Sequence, residues 1–439
     1  VGLGSGANVA AIPELRKRIL FVLAMLAVYR LGSFVPTPGI NAAALSDFFA
    51  RSQGTLFGMF NMFSGGSLER FSIFALGIMP YISASIIMQL MTYAIPTLEQ
   101  LKKEGELGRK KITSYTRYLT IALSLGQSVA IALTLESTQG PAGELVVANP
   151  GWSFRLMTMI TLTTGTAFLM WLGEQMTERG IGNGISLIIY AGIIVALPSA
   201  IVNTVEFLRT GELSGFGFLF ILALMAGVLY FIVFMETSFR KIPIQYARRV
   251  SGRRVYGGQS THLPLKVNTA GVIPPIFASS LLMFPMTITN FSEAGWATQL
   301  EAVFNPTSFW YNVVYYVLIL GFAYFYTAVQ FNPVDVADNL KRWGGYVPGI
   351  RPGRATADYI DKILGRLTFI GGNYVAAVCV LPTILIVEFN VPFFFGGTAL
   401  LIVVGVAMDT MQQIETQVIS HRYEGLMGSG RNRLRSRRR

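Results

Sequence analysis

The run 54–90, GTLFGMFNMFSGGSLERFSIFALGIMPYISASIIMQL, decides how this chain is read. It places a short apolar segment directly before one long enough to cross a bilayer. Residues 55–63 predict a helix of about 14 Å at 1.5 Å per residue. A hydrocarbon core is roughly 30 Å thick and takes about 20 residues to cross, so this piece stops part-way. Ser64, Gly65, Gly66 and Ser67 then break it, and Glu69 and Arg70 precede the next apolar run, 71–95. The unpaired end groups of a half-length helix cannot face lipid, so it is buried in protein or lines a watery cavity. The pattern points to a channel or transporter with a segment lodged inside it.

Working outward, 52% of the 439 residues are hydrophobic and 13% are charged, against roughly 25% charged in soluble proteins. Ten nearly uncharged runs predict spans at 13–35, 70–96, 113–135, 153–174, 182–205, 214–236, 265–289, 307–331, 367–388 and 395–417. The chain is expected to be an all-α polytopic membrane protein. The first apolar run, 19–35, is too long for a cleavable signal core and has no small-residue cleavage site after it. The single cysteine, Cys379, excludes an intrachain disulfide. An even number of spans puts both ends on one side, and about 30 of the 35 basic residues fall on that side: the N-terminus, the loops 97–112, 237–266 and 332–366, and the tail. Loops 136–152, 290–306 and 389–394 on the other side carry none, as read from these boundaries. The positive-inside rule then assigns both termini to the cytoplasm. The net charge of +12 follows mostly from this asymmetry and is no sign of nucleic-acid binding.

The middles of the spans are nearly empty of ionisable groups, which pumps and proton relays require. Arg30, Glu174, Glu236, Glu388 and Asp409 lie near span ends, where snorkelling or interfacial contact accounts for them. His262 and His421 are far apart, and no HExxH, GxSxG or phosphate-binding glycine loop occurs. Neither an enzyme nor a metal or cofactor site is expected. The spans carry neutral polar residues instead: Ser83, Ser85 and Gln89, then Gln127 and Ser128, then Thr158, Thr161, Thr163, Thr164 and Thr166. Helix–helix hydrogen bonding is their ordinary use. Ile78 with Ile82, and Ile185 with Ile189, each put an i, i+4 pair on one helix face, which by itself is ordinary packing.

Five stretches, FNMFSGGSLERFSIFALGIMPYISASIIMQL (60–90), ERGIGNGISLIIYAG (178–192), GRRVYGGQSTHLPLKVNTAGVIPPIFASS (252–280), ADNLKRWGGYVPGIRPG (337–353) and GTALLIVVGVAMDTMQQIETQ (397–417), together resemble the SecY/translocon family of protein-conducting channels, on its bacterial side. They occur in family order and reach across the whole chain. The resemblance implies ten transmembrane helices in two pseudo-symmetric five-helix halves around a central pore. The halves would be 13–205 and 214–417, joined externally through 206–213, with a cytoplasmic N-terminus 1–12 and a basic tail 418–439. The half-length helix becomes a plug at 55–67, including Thr55, Phe57, Met59, Asn61, Met62, Ser64, Gly65 and Gly66. A pore ring is implied at Ile78, Ile82, Ile185, Ile189, Ile276 and Ile402, with one further family position falling on Ala407. Ser83, Gln127 and Asn268 are implied at a lateral gate, and Arg253, Arg254 and Arg351 on loops that dock partners. Implied partners are SecE and SecG as subunits, the motor ATPase SecA, the ribosome, polypeptides bearing signal sequences, and membrane lipids, in the bacterial cytoplasmic membrane. The arginine tail 431–439 suits ribosomal RNA, anionic lipid or a disordered solubilising segment. The rivals are a secondary transporter of a small solute with broken helices, which needs a midplane ion site, and an intramembrane protease, which needs a Ser/His or paired-Asp set.

Overall fold

The structure is a computed structural model. It describes residues 12–41, 45, 61, 64–137, 146–211, 214–246, 249–251, 254–256, 260–289, 308–389 and 397–436. In chain order the helices are α1 (Pro13–Gly32), α2 (Met79–Ala94), α3 (Pro96–Lys103), α4 (Glu106–Ser137), α5 (Trp152–Arg179), α6 (Gly184–Thr210) and α7 (Gly215–Thr237). Strands β1 (Phe239–Tyr246), β2 (Arg249–Ser251), β3 (Arg254–Tyr256) and β4 (Ser260–Lys266) follow, then α8 (Ile273–Thr289), α9 (Phe309–Gln330), α10 (Pro333–Arg342), β5 (Gly345–Tyr346), α11 (Arg354–Phe389) and α12 (Gly397–Ser436). Among the described residues six helices are long and apolar enough to cross a membrane, seven when the bent pair α2–α3 counts as one span, and Gly184–Pro198 and Ile273–Leu282 are shorter apolar helices. With α1, whose basic residues crowd its first two turns, these helices lie on the ten predicted runs.

The boundaries depart from the hydropathy reading in several places. The second span does not begin at 70. Residues 64–78 form turns, because Thr37 N–H donates to the Phe71 carbonyl (2.8 Å) and Ile73 N–H to the Val35 carbonyl (3.0 Å), which ties the segment to the chain leaving α1. Gly77 sits at φ 58° and Pro80 opens the helix, so α2 starts only at Met79. It ends at Ile95, which is extended before Pro96, and α3 leaves at 99° to it. The seventh run likewise starts as strand and turn before α8 at Ile273, and α12 continues past the predicted span to Ser436.

By contacts the chain divides into two compact units, Val1–Val202 with Met286–Thr298 and Val406–Arg439, and Asn203–Pro285 with Gln299–Gly405. The first unit therefore takes the C-terminal part of α12, which the two-halves expectation assigned to the other half. Gln413 Oε1 accepts from Gly182 N–H at 2.9 Å, and Val418 packs with Leu15 and Ile181. Within this unit α4 and α5 form a hairpin clamped by two ion pairs, Arg117 on Glu174 (2.8 Å) and Arg155 on Glu136 (2.6 Å). Its core gathers Leu45, Leu68, Phe71, Ala75 and Leu76 with Leu135, Val147, Phe154 and Leu162.

Among the described residues, all the sheet strands belong to the second unit. β1 pairs antiparallel with β4 from Phe239↔Lys266 to Gln245↔Ser260, and β5 adds to its other edge at Gln245↔Tyr346. Side chains alternate along a strand, so Ile242 and Ile244 share one face and bury it against Leu265, Leu340, Val347, Ile360 and Leu367. Strands β1 and β4 of the 237–266 loop thus form an antiparallel pair on the helical frame, seated on α10 and the start of α11.

Candidate functional site

The break after the half-length segment is built from paired polar contacts. Asn61 Nδ2 donates to Glu69 Oε2 (3.0 Å) and Asn61 Oδ1 accepts from Glu69 N–H (3.0 Å). Gly66 N–H donates to the Asn61 carbonyl at 2.8 Å, and Ser64 Oγ accepts from Leu68 N–H at 3.3 Å. Gly65 and Gly66 stand at φ 66° and 79°, a region that costs other residues strain. At Gly65 glycine is required twice, because a Cβ there would lie 2.9 Å from the Gly192 Cα of α6.

Two neighbouring residues of α1 hold this turn from the other side. Tyr29 Oη donates to the Ser64 carbonyl (3.1 Å) and Arg30 Nη1 to the Gly65 carbonyl (2.8 Å). Arg30 and Arg70 also lie over the Phe34 ring, at 4.9 and 4.3 Å from its centroid. The interfacial role expected of Arg30 omits this: the guanidinium holds the segment's C-terminal turn. Its signal in sequence is weak, a single cation at the end of an apolar run. Of the plug positions Asn61, Ser64, Gly65 and Gly66 are described; Thr55, Phe57, Met59 and Met62 lie outside the described residues.

The ring candidates divide between the units, Ile78, Ile82, Ile185 and Ile189 in the first and Ile276 and Ile402 in the second. Ile78 is the N-cap of α2, with its carbonyl accepting from Ile82 N–H at 3.1 Å. Ile78, Ile82, Ile189 and Ile402 are buried, and Ile185 and Ile276 are partly buried. Ile185 packs on α5, where its Cγ1 lies 3.0 Å from the place a Cβ on Gly173 would take. Ala407 is partly buried and its neighbour Val406 is buried.

The polar candidates meet three different fates. Ser83 is buried in α2. The Gln127 side-chain oxygen is buried without a hydrogen-bond partner among the described residues, as are the Thr158, Thr163 and Thr166 hydroxyls, which therefore do not make the interhelical bonds expected of them. Asn268, 4% exposed, donates to Glu236 Oε1 of α7 (2.6 Å) and to the Gly271 carbonyl (3.1 Å), and accepts from Gly271 N–H (3.1 Å). It ties the turn before α8 to the end of α7, so Glu236 is a packing partner here.

Arg351 is exposed at the crest of a turn whose Gly349 and Gly353 have φ of 82° and 106°. Its carbonyl accepts from Thr356 Oγ1 at 2.9 Å, and Ile350 N–H closes on the Val347 carbonyl at 3.1 Å. Val347 is rooted in the sheet core, so the arginine rises from a rigid base. Arg254 belongs to β3, paired through Ser251; its side chain, and Arg253 altogether, lie outside the described residues.

Apolar helices on the ten predicted runs, a glycine turn tied to α1 and folded basic loops define a multi-pass membrane protein. The SecY family profile matches residues 72–411. The protein translocase subunit SecY of Escherichia coli K12 is 51% identical over 430 residues, covering 97% of each chain. Among solved structures, one of a protein-conducting channel superposes with a TM-score of 0.65 at 16% identity, over 92% of both chains. A SecY structure concerned with its plug domain gives 0.58 at 18% identity, and Sec61 in a canine ribosome–channel complex gives 0.61 at 14%, each with 92% of both chains covered. These three likenesses establish the fold. The chain belongs to the SecY family.

Proposed function

We propose that this chain is the pore-forming subunit of a gated membrane conduit for unfolded polypeptide. The clamped turn at 64–67 carries the reading, since it anchors a segment too short to span beside helices with little midplane charge. At rest, 55–67 acts as a stopper over an aliphatic ring of Ile78, Ile82, Ile185, Ile189, Ile276 and Ile402. A narrow apolar collar dewets and offers no ligand to a hydrated ion. Aliphatic side chains still swing aside for an extended peptide without selecting its sequence.

Ser83 and Gln127 line a seam through which apolar segments leave for lipid, gaining roughly 0.8 kcal/mol per buried CH₂. The unpaired Gln127 oxygen favours its use there, as a buried acceptor left without a bond is costly. Asn268 acts at this seam by fixing the start of α8. No covalent step is involved, and partners supply the driving energy. Arg253, Arg254 and Arg351 dock SecA and the ribosome, and SecE and SecG complete the assembly in a bacterial cytoplasmic membrane with termini and basic loops inside. Deleting 55–67 and recording resting conductance in planar bilayers tests the reading. We expect a raised ion leak; an unchanged baseline would remove the stopper.

A further inference from the structure

A groove of about 500 Å³ opens between α9 and α11, lined by Tyr324, Lys362, Gly365, Arg366, Phe369 and Ile370. Its volume falls in the range of about 300–1,000 Å³ typical of small-ligand sites. Lys362 and Arg366 are one helical turn apart and Phe369 and Ile370 follow in the next turn, so both pairs share a stripe of α11. All four are exposed. Neither cation has an ion pair among the described residues, although Asp358 stands one turn before Lys362. The groove thus presents two free positive charges above two apolar side chains where the helix passes from charged to apolar sequence.

Gly365 makes the opening. A Cβ there would meet nothing within 4 Å, so no close packing requires glycine at this position. The missing side chain leaves room in the groove, beside the Tyr324 hydroxyl at 3.4 Å from the Gly365 carbonyl. Tyrosine is favoured at headgroup depth, where its ring meets apolar chains and its hydroxyl stays wet.

We propose that this groove is a binding site for an anionic phospholipid, its phosphate on Lys362 and Arg366 and an acyl chain along Phe369 and Ile370. A basic pocket between helices at the bilayer boundary suits a phosphodiester headgroup. The apolar pair below the cations distinguishes a lipid from free phosphate, which has no use for it. The site depends on α9 and α11 spanning the membrane and not on the stopper.

Native mass spectrometry of the purified complex, titrated with phosphatidylglycerol or phosphatidylcholine of matched chains, tests it. Phosphatidylglycerol should bind preferentially, and Lys362→Gln with Arg366→Gln should weaken it about fivefold per charge, roughly 25-fold together. Gly365→Leu should weaken it with both charges intact, while Gly365→Ala reports on folding and the pair Lys341→Gln, Arg342→Gln on α10 should change nothing. Equal binding of the two lipids, indifference to Gly365→Leu, full displacement by inorganic phosphate, or crosslinking of Lys362 to a protein segment in the lipid-bearing complex would each overturn the assignment.

Discussion

Arg30 shows how much one side chain can contribute to holding the turn that the proposed stopper ends on. Its guanidinium spans from α1 to a carbonyl in a turn that already holds two positive-φ glycines. A charge-assisted hydrogen bond is worth roughly 1.5–3 kcal/mol. Losing it shifts a closed–open equilibrium about 10- to 100-fold toward open. Arg30→Gln should therefore raise resting conductance in planar bilayers, with Arg30→Lys recovering part because it keeps a cationic donor. Tyr29→Phe should have a smaller effect, since it removes a neutral bond of 3.1 Å. Should the 55–67 deletion leak while Arg30→Gln stays tight, the seat would be held by packing at Gly192 and not by this bond.

At the scale of elements, the sheet, α10 and the turn at 347–353 work as one platform. Ile242 belongs to its core, and Ile→Ala in a packed core costs about 2–5 kcal/mol. Ile242→Ala should loosen the hairpin, read as faster proteolysis between β1 and β4. Arg351→Ala should leave proteolysis unchanged while cutting SecA-driven transport; full transport would take Arg351 off the docking surface. Much of this level was legible before the structure. Long uncharged runs located the helices, because a bilayer demands length and apolarity that few other contexts impose. Hydropathy failed at 70–78, where apolar residues form turns: it counts side chains and is blind to backbone bonds such as Thr37 to Phe71. It was blind to β1 as well, where only Ile242 and Ile244 carry the alternating signal. The Arg30 seat was illegible for a related reason, its partner being a carbonyl 35 residues away that any sequence would supply.

At the scale of the whole molecule, the decisive feature is a chain of ten spans with little midplane charge to bind a solute. A conduit of this kind recognises no sequence, so its path is defined by which residues a passing chain touches. A stalled, translocating polypeptide carrying a photoreactive residue should crosslink to Ile82 and Ile276, one from each compact unit. It should spare Phe216 and Tyr230 of α7, which are 81% and 75% exposed on a helix of uniformly apolar character suited to lipid or a companion subunit. The contrast separates a pore from a surface route. Transport along the outside of the helices would label exposed α7 at least as readily as the isoleucines, whereas passage through a ring labels ring isoleucines and spares α7. Introducing the probe at successive positions of the substrate adds a second requirement. The labelled ring residues should stay the same as the chain advances, because the collar is fixed and the peptide moves through it.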